Sequence, residues 1–144
     1  MVREAVNSDL NAILELYCFL HEDGIPSCDN RLQETWRQIM EDKNHHIFVN
    51  EVDGKIVSSC VCVIVPNLTR NVRPYAWIEN VVTHEKYRGR GYASQCLEYA
   101  KMVAEQSGCY KMMLMTGSKR AETLHFYEKA GYNSRDKTAF IRWL

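Results

Sequence analysis

The chain predicts an α/β domain of the α+β kind, with a mixed, mostly antiparallel central sheet flanked by helices. Three observations predict it. Segments of strand and helix periodicity follow in the order β-α-α-β-β-β-α-β-α-β, alternating only in the second half, which implies a mixed sheet. Asp53-Gly54 sits between two strand-like segments, a strong hairpin signal. Trp77 to Ala93 reads as a strand, a sharp glycine turn and the first turn of a helix, and the rest of the chain is organised around it.

The bulk numbers bound the answer. A length of 144 residues fits one domain, 1–144. Hydrophobic residues make up 46% and charged residues 25%, enough for a real core. Eighteen basic residues balance eighteen acidic ones, so net charge gives no case for a nucleic-acid or membrane partner. No apolar run approaches the roughly 20 residues that span a bilayer, and Met1-Val2-Arg3-Glu4 does not open a signal peptide. The cysteines at 18, 28, 60, 62, 96 and 109 form no Cys-x-x-Cys pair, and no His or Cys partner completes a zinc site around Cys60 and Cys62. They are expected to be reduced, mostly core thiols of a cytoplasmic protein, and no metal is expected.

Taken in order, residues 2–6 suit a short edge strand. Asn7-Ser8-Asp9 offers capping chemistry for a helix over 8–21, where Leu10, Ile13, Leu14 and Tyr17 recur at helical spacing. Residues 22–30 read as a loop and 31–43, with Leu32, Trp36, Ile39 and Met40, as a second amphipathic helix. Residues 46–52 and 55–65 are the hairpin strands, and 66–73 is a loop carrying Arg70 and Arg73. Tyr75–Thr83 is a strand, 91–107 a helix with Cys96, Leu97 and Ala100 on its buried side, and 110–116 a strand. The near-continuous apolar run Met112-Met113-Leu114-Met115 suggests a central strand covered on both faces rather than a cofactor box. A helix over 120–130 and a strand over 138–144 close the order.

The chemistry concentrates at Arg88-Gly89-Arg90-Gly91-Tyr92-Ala93. Glycine and alanine let a backbone approach a phosphate, glycine takes positive φ, and two arginines supply charge. A helix N-terminus behind them presents unpaired N–H groups to an anion. The run is not a Gly-x-x-x-x-Gly-Lys-Ser/Thr loop, and Ser94 stands where a dinucleotide fingerprint needs its third glycine.

Arg88-x-x-Gly91-x-Ala93 resembles the Arg/Gln-x-x-Gly-x-Gly/Ala motif of the GCN5-related N-acetyltransferases (GNAT), and Phe126-Tyr127-Glu128-Lys129-Ala130-Gly131-Tyr132 resembles the Phe-Tyr-Glu-Lys-x-Gly-Phe segment of that family. The likeness covers about residues 75–132 in sequence and is topological over 1–74. It implies an acyl-CoA N-acyltransferase fold splayed between its fourth and fifth strands, and acetyl-CoA as cosubstrate. The pyrophosphate would lie on the amides of Arg88, Gly89, Arg90, Gly91, Tyr92 and Ala93. Pantetheine would pair like an added strand with Val81, Val82 and Thr83. Tyr127 is then the general acid that protonates the leaving thiolate, and Glu79 the base for the amine, acting directly or through water. A backbone N–H near Val81 would hold the oxyanion. The segment 116–123 lacks the asparagine usual in the family, leaving Ser118 and Thr123 as its candidate contacts.

The resemblance therefore implies direct acetyl transfer, in a ternary complex, to the primary amine of a small molecule or peptide. Trp77 to Val82 and Gly108-Cys109-Tyr110-Lys111 are similar to glucosamine-6-phosphate N-acetyltransferases, and Arg70 and Arg73 could then meet a sugar phosphate. The alternative is a non-catalytic acyl-CoA sensor, which would keep the glycine turn and have no need of Tyr127. A polyanion binder using Arg70, Arg73, Arg88 and Arg90 is a third reading. His45, His46 and His125 suit surface or packing positions, and His84 is a weaker candidate base. A homodimer is an expectation from the edge that a strand over 138–144 would expose.

Overall fold

A computed structural model describes residues 1–20 and 24–144. Five strands run in spatial order β1 (Val2–Glu4), β2 (His45–Val52), β3 (Lys55–Val65), β4 (Tyr75–Thr83) and β5 (Met112–Leu114). The first three junctions are antiparallel and the β4–β5 junction is parallel. The helices are α1 (Leu10–Tyr17), α2 (Asn30–Glu41), α3 (Tyr92–Gln106) and α4 (Ala121–Lys129). The parallel junction follows from connectivity, because α3 carries the chain across the sheet between β4 and β5.

The hairpin signal holds: Asp53 (φ 49°) and Gly54 (φ 73°) both take the left-handed conformation of a two-residue type I′ turn. Alternation in β2 and β3 then sends side chains to two faces. Phe48, Cys60, Cys62 and Ile64 join Ala76 and Ile78 of β4 on one face, under Cys96, Leu97, Ala100 and Ala104 of α3. Ile47, Val49 and Val61 face the other way, under Ile13 of α1 and Trp36 of α2. Cys96, Ala100 and Ala104 stand four apart, the spacing that places small side chains on one stripe of a helix. The outer face of α2 carries the ion pairs Glu34–Arg37 and Arg37–Glu41.

Helix starts follow local hydrogen bonding. The Asp29 carboxylate accepts from the Leu32 amide at 2.9 Å, capping α2. The N-terminal capping expected at Asn7-Ser8-Asp9 resolves into a single 3₁₀ turn over those residues, where the Asp9 carboxylate accepts from the Val6 amide at 2.8 Å. The same carboxylate pairs with Arg3, whose guanidinium also holds Glu51 at 2.7 Å, so one buried acid ties β1, α1 and β2 together.

Several expectations change. Helix α1 ends at Tyr17, and residues 21–23, at the end of the expected helix and the start of the 22–30 loop, lie outside the described residues. The loop 66–73 contains a left-handed turn, with Arg70, Asn71 and Val72 all at φ between 55° and 60°. Residues 110–116 contribute only Met112–Leu114 as a strand, and that strand is the edge of the sheet, half-buried rather than central. Met112 and Leu114 pack against the core under α3, while the strand has a neighbour on one side only. Residues 138–144 form no strand. With no strand there, the outer edge of β5 has no strand partner among the described residues.

All six cysteines are free, and Cys60, Cys62 and Cys96 are buried while Cys18 and Cys28 are exposed, so the core expectation holds for half of them. Burial pushes the Cys62 thiol up to about 12 and Cys96 up to about 11, which keeps both as neutral packing groups.

Candidate functional site

Strand β4 has two partners along its first half and one along its second. Ala76, Trp77 and Ile78 pair with Met112, Met113 and Leu114. Past Ile78 the pairing with β5 stops, while β4 stays on β3 through Glu79–Val61, Val82–Ser59 and Thr83–Ser58. The sheet therefore splits between its fourth and fifth strands, and the backbone of residues 79–83 on that side meets no strand among the described residues.

A bulge re-aims this stretch. The register with β3 shifts between Ser59 and Val61, and Asn80 sits at φ 49°. Asparagine tolerates the left-handed region better than most side chains. The insertion breaks the alternation of Tyr75-Ala76-Trp77-Ile78-Glu79, so Val81 and Val82 follow a new phase, with Val82 buried and Val81 packed against the core under α3. Ser58 fixes the far end of the stretch, bonding the Val82 carbonyl and the Thr83 hydroxyl, both at 2.8 Å.

The chain then passes through a 3₁₀ turn at Glu85–Tyr87 into the glycine turn. Gly89 and Gly91 lie at φ 74° and 80°. A side chain at either would meet no neighbouring atom within 4 Å, so conformation and not space is what demands glycine there. Gly91 caps α3 without any side-chain hydrogen bond to the helix end, and the first helical bond runs from the Gln95 amide to the Gly91 carbonyl at 3.0 Å. The amides of Tyr92, Ala93 and Ser94 thus have no intrahelical acceptor, and the helix dipole adds positive potential at the same place. The Arg88 amide is already taken, donating to the Glu85 carbonyl at 3.3 Å, and its side chain returns to the Thr83 carbonyl at 3.2 Å. Arg90 lies over the Tyr87 ring at 5.6 Å.

Two sequence-predicted residues flank the split from opposite faces of the sheet. Glu79 follows Tyr75 and Trp77 on the face away from α3, is exposed, and accepts from the Trp77 indole N–H at 2.6 Å. Tyr127 comes from α4 on the α3 side, half-buried, with its ring against Phe126 at 4.9 Å and Tyr132 at 6.1 Å. Burial pushes the Tyr127 hydroxyl above its ordinary range.

Other candidates are occupied. Ser118 donates to Thr123 at 3.1 Å, so the two hydroxyls brace the start of α4. Arg73 donates to the carbonyls of Gly108 (3.1 Å) and Cys109 (3.0 Å), which fixes the loop before β4, while Arg70 lies over the Tyr110 ring at 5.9 Å. His84 accepts from the Lys86 amide and packs on Phe19. His46 pairs with Glu4, and His125 is exposed. Trp77 as the partner of Glu79 was missed, although period-two alternation places the two on one face; Asn80 as the bulge was missed, although it interrupts that alternation. Among the described residues no group of three or more His, Cys, Asp or Glu side chains could hold a metal ion, and no helix is long and apolar enough to cross a membrane.

A split parallel junction, an open strand edge and a glycine-capped helix aimed at that edge define an acyl-CoA-type transferase fold. The profile of the acetyltransferase (GNAT) family matches residues 10–132, and the chain belongs to that family. Glucosamine 6-phosphate N-acetyltransferase of Trypanosoma brucei brucei is 33% identical over 91 residues, a stretch covering 63% of this chain and 60% of that protein. The Dictyostelium discoideum glucosamine 6-phosphate N-acetyltransferase 1 is 26% identical over 105 residues, covering 71% and 65%. The match thus spans less than two thirds of either relative. Among solved structures, a chain from Agrobacterium tumefaciens provisionally named an acetyltransferase superposes with a TM-score of 0.91 at 38% identity, covering 99% of both chains. Glucosamine-6-phosphate N-acetyltransferase from Arabidopsis thaliana superposes with a TM-score of 0.86 at 25% identity, covering 99% of this chain and 97% of that one.

Proposed function

We propose that this protein transfers the acetyl group of acetyl-CoA to a primary amine in a ternary complex. The observation that carries the reading is the open edge of β4 from Glu79 to Thr83, running straight into the unpaired amides at the start of α3. A CoA thioester needs both parts. Its pyrophosphate is an anion for the helix N-terminus and the glycine turn. Its pantetheine carries amides that satisfy a strand edge as an added strand would. Val81, Val82 and Thr83 are the strand contacts in this reading, and Gly89, Arg90, Gly91, Tyr92 and Ala93 the phosphate cradle. Arg88 serves through its side chain, which pins the turn to Thr83, since its amide is already bonded.

The chain's own groups then supply acid and base. Glu79, directly or through water, takes the proton that the attacking amine loses as its nitrogen bonds the acetyl carbon. The Trp77 N–H holds the carboxylate in place for this. A backbone N–H beside the bulge stabilises the carbonyl oxygen as charge gathers on it. The carbon–sulfur bond breaks, and Tyr127 gives its proton to the departing thiolate. The sum is an acetamide and free CoA. A phenol held above its ordinary range stays protonated at neutral pH, as a general acid must.

The acceptor stands on the α1–α2 side, where Glu79 faces. The names of the relatives make glucosamine 6-phosphate the first amine to test. Arg70, exposed beside Tyr110, is the better-placed of the two loop arginines for a phosphate, because Arg73 is engaged with backbone carbonyls. Free thiols throughout the described chain suit the reducing cytoplasm. The test is release of CoA thiol from acetyl-CoA over a panel of amines. Turnover that survives Tyr127→Phe and Glu79→Gln together would remove these roles, and tight acetyl-CoA binding with no turnover on any amine would favour a sensor.

A further inference from the structure

We infer, resting on the acetyl-transfer reading, that Tyr17 is a positioning residue: in the reacting complex its hydroxyl donates to the Asn80 side chain, with Ser59 beside it, and fixes the β4 bulge that aims Glu79 and the oxyanion N–H. Two buried hydroxyls lead here. Among the described residues, the Tyr17 Oη and the Ser59 Oγ are both enclosed, and neither has a hydrogen-bond partner. Tyr17 is half-buried as a residue, with its hydroxyl at the deep end, and Ser59 is fully buried. A buried hydroxyl without a partner costs stability, so each one in a folded protein calls for a reason.

Placement supplies the reason. Ser59 pairs with Val49 of β2 on one side and with Val82 of β4 on the other. Directly opposed residues share a face, which puts Ser59 with Val49 on the α1 side of the sheet. Tyr17, the last residue of α1, packs on that same cluster, and α1 lies across β3 and β4. The register of β3 with β4 shifts just beyond Ser59, where Asn80 takes the left-handed conformation. Burial raises the Tyr17 hydroxyl, and Ser59 and Asn80 are the hydrogen-bonding groups that oppose the rise. Polar side chains of α1, β3 and β4 thus converge at the bulge.

Asn80 has the matching need. At φ 49° it holds a conformation that costs energy for any residue with a side chain, and such a conformation persists only where the surroundings impose it. On the β5 side no strand supports this stretch, among the described residues. A hydrogen bond from Tyr17 supplies the hold from the α1 side. Glu79 precedes Asn80 and Val81 follows it, so a change in the Asn80 backbone re-aims the carboxylate and the neighbouring amide together. Hydroxyls left unpaired in the fold and spent in the reaction are what a trade of stability for function leaves behind.

The experiment compares the unaltered protein with Tyr17→Phe, Asn80→Gly and the double variant. It reads steady-state release of CoA thiol from acetyl-CoA over a panel of primary amines, and thermal unfolding of each protein alone. Tyr17→Phe should unfold at the same or a higher Tm, because it removes a hydroxyl that has no partner. Its kcat should nevertheless fall about 10- to 100-fold, with KM for acetyl-CoA unchanged. Asn80→Gly keeps the left-handed backbone without the carboxamide and should show the same loss. The double variant should lose no more than either alone, since the two side chains act as one unit. A lower Tm for Tyr17→Phe, or its failure to fold, would make the hydroxyl a structural group and overturn the inference. An unchanged kcat in Tyr17→Phe, or losses that multiply in the double variant, would overturn it while leaving the acetyl-transfer reading intact. No turnover by the unaltered protein on any amine would instead remove that reading, and the role of Tyr17 with it.

Discussion

Tyr127 and Glu79 show how one side chain's surroundings set its chemistry. The phenol is half-buried among Phe126, Tyr132 and the core under α3, so its neutral form is favoured. Its folded value is raised, so the hydroxyl keeps its proton as pH climbs past the ordinary value of about 10. An alkaline fall in turnover should therefore begin above that point, and Tyr127→Phe should abolish the limb while lowering kcat about 10²-fold. The pH profile of thiol release checks both, with acetyl-CoA affinity unchanged as the control. Glu79→Gln should cost about 10²-fold in kcat for the same reason, read on the amine that turns over fastest. Asp9 is a structural counterpart. Hydrogen bonds from Arg3 lead in holding its carboxyl below the usual range. Its contribution is present above the unfolded value near 3.9 and is lost as pH falls through the lowered folded value. Asp9→Asn should destabilise by about 1–3 kcal/mol at neutral pH and flatten the acid side of the stability curve in urea titrations.

Elements decide where these side chains point. The bulge at Asn80 and the two left-handed glycines turn an ordinary strand–helix connection into an open edge facing a row of amides. Gly91→Ala keeps the space but loses the conformation. Forcing an alanine to φ near 80° should cost about 1–2 kcal/mol of stability and weaken acetyl-CoA binding, measured by thermal unfolding and calorimetry. Much of this level could be read from the sequence. Asp53-Gly54 announced its hairpin, Tyr75–Thr83 its strand, and Gly89 and Gly91 the turn, because each depends on nearest neighbours. What could not be read depends on partners distant in the chain. Nothing local says that Met112–Leu114 has a strand on one side only, that Arg73 reaches back to the carbonyls of Gly108 and Cys109, or that Ser118 spends its hydroxyl on Thr123. The strand expected over 138–144 does not form, and nothing local in Thr138 to Leu144 says so.

At the scale of the whole molecule, one sheet serves two helical layers, and the site lies where that sheet comes apart. Phe48 is fully buried on the α3 face, in the cluster that also packs Tyr127. Phe48→Ala should destabilise by about 3–5 kcal/mol in chemical denaturation and lower turnover beyond the unfolded fraction, because the support of the acid loosens with the core. The division of labour, with the thioester held by backbone and the proton transfers by two side chains from opposite faces, is the central claim. Its most direct test is steady-state release of CoA thiol from acetyl-CoA with glucosamine 6-phosphate and a panel of other primary amines, comparing the unaltered protein with Tyr127→Phe. Turnover on at least one amine whose kcat falls about 10²-fold in fully folded Tyr127→Phe protein, with acetyl-CoA still bound, is the predicted result. Turnover indifferent to Tyr127, or a protein with no affinity for acetyl-CoA at all, would contradict it.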